Sequence, residues 1–316
     1  MSEKTSQTAQ GSANAADAAS TLLRDLIDYA GLFPPASLAM VRSVANYEEY
    51  SRSQWNGILG RFIVPVARLT EFEGAFTRLP NPPSGAVTVK WRLSTILGSD
   101  PQADAARIRE FNLRMAKSTS SRTAVIESAE VTVTSAREVE RISAIIPKEL
   151  STYFEIPSSA ASDCIPALAR CARRAKIRTG GETADKFPAP ADVVKFIHLC
   201  AANNVPFKAT AGLHHPLRSI HRLTYQPESP LGMMHGFINL FLAASFLRAG
   251  MEGKLAVQLI EEQSQQAFHF DEDGVSWRED RLSVREIAAA RQDFAISFGS
   301  CSFTEPIDDL RSLSLL

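Results

Sequence analysis

Short, nearly continuous apolar runs alternate with longer amphipathic ones along most of the chain. The apolar runs are "GRFIVPVARL", "VTVKWRLSTILG", "TAVIESAEVTV", "STYFEIP", "AKIRTGG", "VPFKATAGLHHP" and, near the end, "FAISFGSCSF". Unbroken hydrophobicity of this kind predicts strands of a parallel sheet covered on both faces. A shorter run, Leu26–Ala30 in "LLRDLIDYAGLFPP", predicts a first strand. The segments between them carry helical spacing, as in "LAMVRSVANYEEYSRS", where Met40, Val44 and Tyr47 share a face. Thr70 is expected to open the helix "TEFEGAFTRL", and Ser135 to cap "SAREVERISAII".

Seven or eight such βα units in about 290 residues fit a single (β/α)8 TIM barrel better than an open doubly wound sheet. No G-x-G-x-x-G follows the first strand, which also argues against a dinucleotide fold. Residues 217–294 break the simple repeat with two helices and "AFHFDEDGVSW", in which Asp273–Gly274 reads as a hairpin turn. They are expected to form an insertion between the seventh and eighth strands: a lid, a subunit contact or a cover for the barrel's flank. Residues 1–20, rich in Ser, Ala, Gln and Thr with no apolar core, read as a disordered tail and not a signal peptide. Residues 21–316 then make the barrel domain.

Composition narrows the partners. The chain has 316 residues, 45% of them hydrophobic, and a net charge of −1. That is enough for one large core, and there is no basic stripe for nucleic acid. The apolar segment "GFINLFLAASFLRAG" carries Asn239 and is too short to span a bilayer, so a core helix and a cytoplasmic protein are expected. A homo-oligomer stays open. Cys164, Cys171, Cys200 and Cys301 show no C-x-x-C spacing and read as small apolar residues in a reducing compartment.

Chemistry in such a barrel sits where strands end. Lys176 and Arg178 share one face of their strand, as do Lys208, Thr210 and Gly212 on the next. Two lysines at matching positions on neighbouring strands, if both face inward, would disfavour each other's protonation and leave one amine able to attack a carbonyl. Asp28, Glu127 and Glu155 are the carboxylates placed to partner them. Arg178, Thr179, Gly180 and Gly181 at one strand end, and Gly299, Ser300 and Ser302 at another, offer donors for a phosphate or carboxylate. His214 and His215 are adjacent and so point to opposite sides of an extended chain. One of them is a candidate acid/base or substrate contact. His198 reads as structural, and His235 has no assigned role.

These residues resemble the deoxyribose-phosphate aldolases, class I aldolases on a (β/α)8 barrel. That family carries I-D-H-T-L-L-K-P on its first strand, K-T-S-T-G on its sixth, V-K-A-x-G-G on its seventh and a G-x-S-S-G phosphate loop on its last. This chain reads "LIDYAGLFPP", "AKIRTGG", "FKATAGL" and "ISFGSC" in the same order, with "YFEIP" where the family has a run ending I-E-T. The resemblance implies that Lys176 forms a Schiff base, that Lys208 is the second lysine beside it and that Asp28 is the first-strand aspartate. It implies no cofactor and no metal. The family's fourth-strand aspartate falls on Thr123, and Glu127, four residues on with the same parity, is the expected substitute. Arg178 replaces a small serine, which would fill part of the pocket and alter the substrate. The leading expectation is a Schiff-base carbon–carbon lyase acting on a small phosphorylated or carboxylated aldehyde or ketone. Its rivals are a barrel using Glu127, Glu155 and His214 or His215 to hold a divalent metal, and a barrel that binds a metabolite or partner without chemistry.

Overall fold

The computed structural model describes residues 16–80, 90–118, 120 and 122–316. Residues 87–89 of the expected third strand, and 1–15 of the expected tail, lie outside them. Within the described part the chain runs α1 (Ala16–Leu23), β1 (Ile27–Tyr29), α2 (Met40–Ser51), β2 (Leu59–Pro65), α3 (Leu69–Thr77), β3 (Lys90–Ile96), α4 (Pro101–Ala116), β4 (Thr123–Thr132), α5 (Ala136–Ile145), β5 (Ser151–Glu155), α6 (Ala161–Arg170), β6 (Arg174–Arg178), α7 (Pro190–Ala202) and β7 (Phe207–Thr210). A hairpin of β8 (Ser219–Arg222) and β9 (Leu231–Met234) follows, then α8 (Phe237–Arg248) and α9 (Gly253–Glu261). A small antiparallel sheet of β10 (Phe268–Phe270), β11 (Gly274–Trp277) and β12 (Asp280–Ser283) leads into α10 (Val284–Asp293), β13 (Ala295–Ser300) and α11 (Thr304–Ser312).

Strands β1 to β7 and β13 close into one parallel barrel, with β13 between β7 and β1. The expected (β/α)8 architecture is present. Local chemistry explains several starts. Asp100 accepts from the Ala103 N–H at α4, Ser135 accepts from the Glu138 N–H at α5, and Ser283 with Glu286 forms a capping box at α10. Thr70 caps nothing: α3 begins one residue earlier, continuing a 3-10 turn over Val66–Arg68.

Two expectations about domain layout change. Residues 16–20 belong to helix α1, which packs on α10, so the tail reading does not extend that far. The 217–294 segment is not all insertion. Helix α8 is buried from Phe237 to Leu247 because it lies against β13, with the Phe237 and Phe298 rings stacked 5.1 Å apart, between α7 and α10 and beneath α9. It is a helix of the barrel's own ring. The turn before Gly274 is the expected hairpin, closed by the Asp271 N–H donating to the Gly274 carbonyl. Among the described residues no helix is long and apolar enough to cross a membrane.

Candidate active site

Parallel register sets Lys176 of β6 directly beside Lys208 of β7. Both side chains point into the barrel and are buried, the case that the sequence left conditional. Carboxylates separate them. Lys208 Nζ donates to Asp28 Oδ2 at 2.5 Å and to Glu130 Oε1 at 2.8 Å. Lys176 Nζ lies 2.7 Å from Glu130 Oε2 and 2.8 Å from Glu155 Oε2, as ion pairs without the aligned hydrogen bonds that fix Lys208. The result is a chain of alternating charge, Asp28–Lys208–Glu130–Lys176–Glu155–Arg178, whose last link is Arg178 Nε donating to Glu155 Oε1 at 2.9 Å. Unlike charges, not repulsion between lysines, dominate this interior.

Each shift in the chain follows from that pairing. Burial alone would raise the Asp28 carboxyl, but Lys208 and Arg61 outweigh it and hold Asp28 below the ordinary carboxylate range. The same balance holds Glu130 far below it, through both lysines, and lowers Glu155 through Lys176 and then Arg178. Burial alone would lower Lys208, but Asp28 and Glu130 outweigh it and push its pKa above the usual lysine value. Asp28 is held further by Ser297 Oγ at 2.8 Å and by the Arg61 N–H at 2.7 Å, which a register shift between β1 and β2 leaves free for it.

Glu127 is not in this cluster. Between Leu93–Ile126 and Ser94–Ser128 the β3–β4 register slips by one residue, so β4 carries a bulge at Glu127. A bulge turns the following residues to the opposite parity. Glu127 therefore points into a lower layer, toward the strands' N-terminal ends, where it pairs with Arg61 Nε at 2.7 Å and Arg92 Nε at 3.0 Å. Glu130 takes the central place expected of Glu127. The same slip separates Glu127 from Glu155 and His214, so the donors of the metal reading are not assembled. Among the described residues no group of three His, Cys, Asp or Glu side chains is placed to hold a metal ion.

A cavity of about 600 Å³ opens above the charged chain at the C-terminal end of the barrel. Lys176, Glu130 and Glu155 stand on its floor, and Arg178, Gly180, Gly181, Thr210, Gly299, Cys301 and His214 line it further out. Leu223 and Met234 reach it from the ends of the β8–β9 hairpin, so this part of the 217–294 segment forms a wall of the site. Lys208 lies below, 1% exposed and out of the lining. The glycines are required. A Cβ on Gly180 would sit 2.7 Å from Gly212 Cα and against the Phe187 ring, while Ala211 and Gly212 both adopt left-handed backbone, φ +64° and +71°. Among the described residues nothing accepts from the N–H groups of Gly180 and Gly181.

Three expected contacts are placed otherwise. Thr179 is committed to the fold: its N–H donates to the Thr210 carbonyl and its hydroxyl to the Ala211 carbonyl at 2.7 Å. Ser300 faces away from the cavity and accepts from the Ser302 N–H. His215 pairs with Asp309 at 2.6 Å and stacks on His221 with ring centroids 3.3 Å apart, while His214 turns into the cavity. His235 ties β9 to the Pro188 carbonyl at 2.8 Å, and its pKa is lowered to about 4, by burial first. Cys164 and Cys200 are buried in the core as small apolar residues, whereas the partners of Cys301 are polar. Comparison with protein-family models finds no match, and comparison with curated proteins finds no significant one.

Proposed function

We propose that the chain is a Schiff-base-forming carbon–carbon lyase, with Lys176 as the amine that attacks a small aldehyde or ketone. The observation that carries the reading is Lys176 Nζ on the floor of a cavity, between two carboxylates and beside a fully buried second lysine. The residues that match the deoxyribose-phosphate aldolases, Asp28, Lys176 and Lys208, belong to the same charged chain, which supports the kinship. Glu130 rather than Glu127 then stands for the family's fourth-strand acid.

The chemistry follows from the contacts. Glu130 or Glu155 takes a proton from Lys176, whose amine adds to the substrate carbonyl. The carbinolamine loses water as a carboxyl returns that proton to the departing hydroxyl. In the imine, a carboxylate removes the proton of a hydroxyl on the β-carbon. The C–C bond breaks, its electrons pass to the iminium nitrogen as an enamine, and an aldehyde leaves. Reprotonation and hydrolysis release the second product. Lys208 stays protonated throughout and fixes Glu130 in place. An anionic group on the substrate meets Arg178 and the N–H groups of Gly180 and Gly181. Cytoplasmic location and phosphate as that anion belong to this same proposal.

Borohydride added with a panel of small aldehydes and ketones tests it. A reduced adduct mapped to the Lys176 peptide supports the reading. Labelling spread over surface lysines, or activity intact in Lys176→Arg, removes it.

A further inference from the structure

The imine chemistry leaves part of the cavity wall unused. Cys301, just after β13, and His214, after β7, both line it. His214 Nε2 lies 4.0 Å from Cys301 Sγ, and His214 Nδ1 lies 2.8 Å from Glu305 Oε2 in the first turn of α11. Tyr225, from the loop joining β8 and β9, places its hydroxyl 3.6 Å from Sγ and donates it to Glu305 Oε2 at 3.2 Å. Thiol, imidazole and carboxylate in that order are a nucleophile, its base and the group that orients the base. The sulfur–nitrogen distance is long, as such contacts often are before a substrate enters. Beyond these groups stand His215, paired with Asp309 of α11, and His221 of β8 stacked on it.

We propose that Cys301, His214 and Glu305 form a second nucleophilic centre in this cavity, which captures a small aldehyde on the Cys301 sulfur. Sγ bonds to the carbonyl carbon and the π pair moves onto oxygen. The thiol proton, relayed by His214 Nε2, ends on that oxygen. The product is a thiohemiacetal, its reversal returns the aldehyde, and no oxidant or cofactor is consumed. The centre needs no imine at Lys176, so it stands or falls separately from the lyase reading.

The test is limited alkylation of the full folded chain with iodoacetamide, in which the S–C bond forms and iodide leaves, followed by peptide mapping of all four cysteines. Cys301 is 6% exposed and Cys171 is more open, so accessibility alone favours Cys171. The expected result is alkylation of Cys301 at least tenfold faster than of Cys171 at pH 7. The rate at Cys301 falls at least tenfold in His214→Asn and less in Glu305→Gln. In Lys176→Arg, where no imine can form at position 176, acetaldehyde slows alkylation of Cys301 and dilution reverses the effect. Cys301 reacting no faster than Cys171, or an acetaldehyde effect absent from Lys176→Arg, overturns the proposal. The wild-type comparison needs no variant, so it decides even where His214→Asn does not fold.

Discussion

Two charged layers are stacked inside this barrel, and they are built from different cations. The central layer uses Lys176 and Lys208 with Asp28, Glu130 and Glu155, and it opens on the cavity. The lower layer uses Arg61 and Arg92 with Glu127 and Asp25. Tyr153 divides them: its ring lies 5.5 Å below Lys208 Nζ, and its hydroxyl accepts from Arg174 at 2.9 Å. Arginine stays charged and braces several acceptors at once, whereas a lysine can surrender its proton and become a nucleophile. The lower layer therefore reads as a brace, and the central layer holds the amines that the proposed chemistry requires.

Exchanging the central cation breaks that contrast most severely. Lys176→Arg keeps the charge beside Glu130 and Glu155 but removes the amine. Borohydride trapping is expected to fall by more than about 100-fold, since guanidinium does not deprotonate at accessible pH. Trapping that survives in this variant places the nucleophile elsewhere.

Lys208→Met comes next, and its effect is on stability. The variant leaves Asp28 and Glu130 buried with one fewer cation. Breaking a buried pair from one side costs about 3–5 kcal/mol. Asp28 keeps the Arg61 N–H and Ser297, and Glu130 keeps Lys176, so the lower end of that range is expected. Denaturant unfolding measures it. A loss under about 1 kcal/mol would mean that the buried pairing is nearly neutral against an apolar replacement.

The pH dependence is smaller and has a definite sign. Glu130 and Asp28 are held below their ordinary values, so their contribution is full above the unfolded carboxylate pKa of about 4 and is lost as pH falls through the folded values. Lys208 is raised, so its contribution is full below an unfolded pKa of about 10 and is lost only as pH rises through the folded value above it. A plateau between these limits with an acid limb is expected. A tenfold difference in a group's proton affinity between the folded and unfolded chain is worth about 1.4 kcal/mol. Urea unfolding between pH 3 and 7 should show at least about 1 kcal/mol lost on the acid side, with a shallower limb in Glu130→Gln. An acid limb of equal depth in that variant assigns the loss to other carboxylates.

How much of this was legible varies by residue. The eight barrel strands could be read because both faces of each are covered, leaving apolar runs with no polar alternation to confuse them. The pairing of Lys176 with Lys208 could be read from matching positions in consecutive strands. Helix α8 could not be recognised as a ring helix, because burial on every side erases the period that reports which face packs. Glu130 was missed for a different reason: parity along β4 is interrupted by the bulge at Glu127, and register is a property of two strands rather than one. Cys301 was hidden by distance: His214 lies 87 positions away in sequence, and Glu305, although close to Cys301 along the chain, is joined to it through that imidazole.

The smallest effects belong to the lower layer, and they sharpen the comparison by being small. Arg92 and Glu127 are each about a third exposed, and pairs of that kind contribute about 0–1 kcal/mol. Arg92→Lys and Glu127→Gln should each cost no more than that in urea unfolding. Neither touches the cavity floor, so trapping on Lys176 should stay within about twofold of wild type, whereas Glu130→Gln removes a carboxylate 2.7 Å from the Lys176 amine. Glu127 and Glu130 differ by three positions on one strand, yet the bulge puts one in the lower layer and the other against Lys176, the proposed nucleophile. A tenfold loss of trapping in Glu127→Gln, with Glu130→Gln unaffected, would reverse those roles and bring back the unbulged register that parity along the sequence predicts.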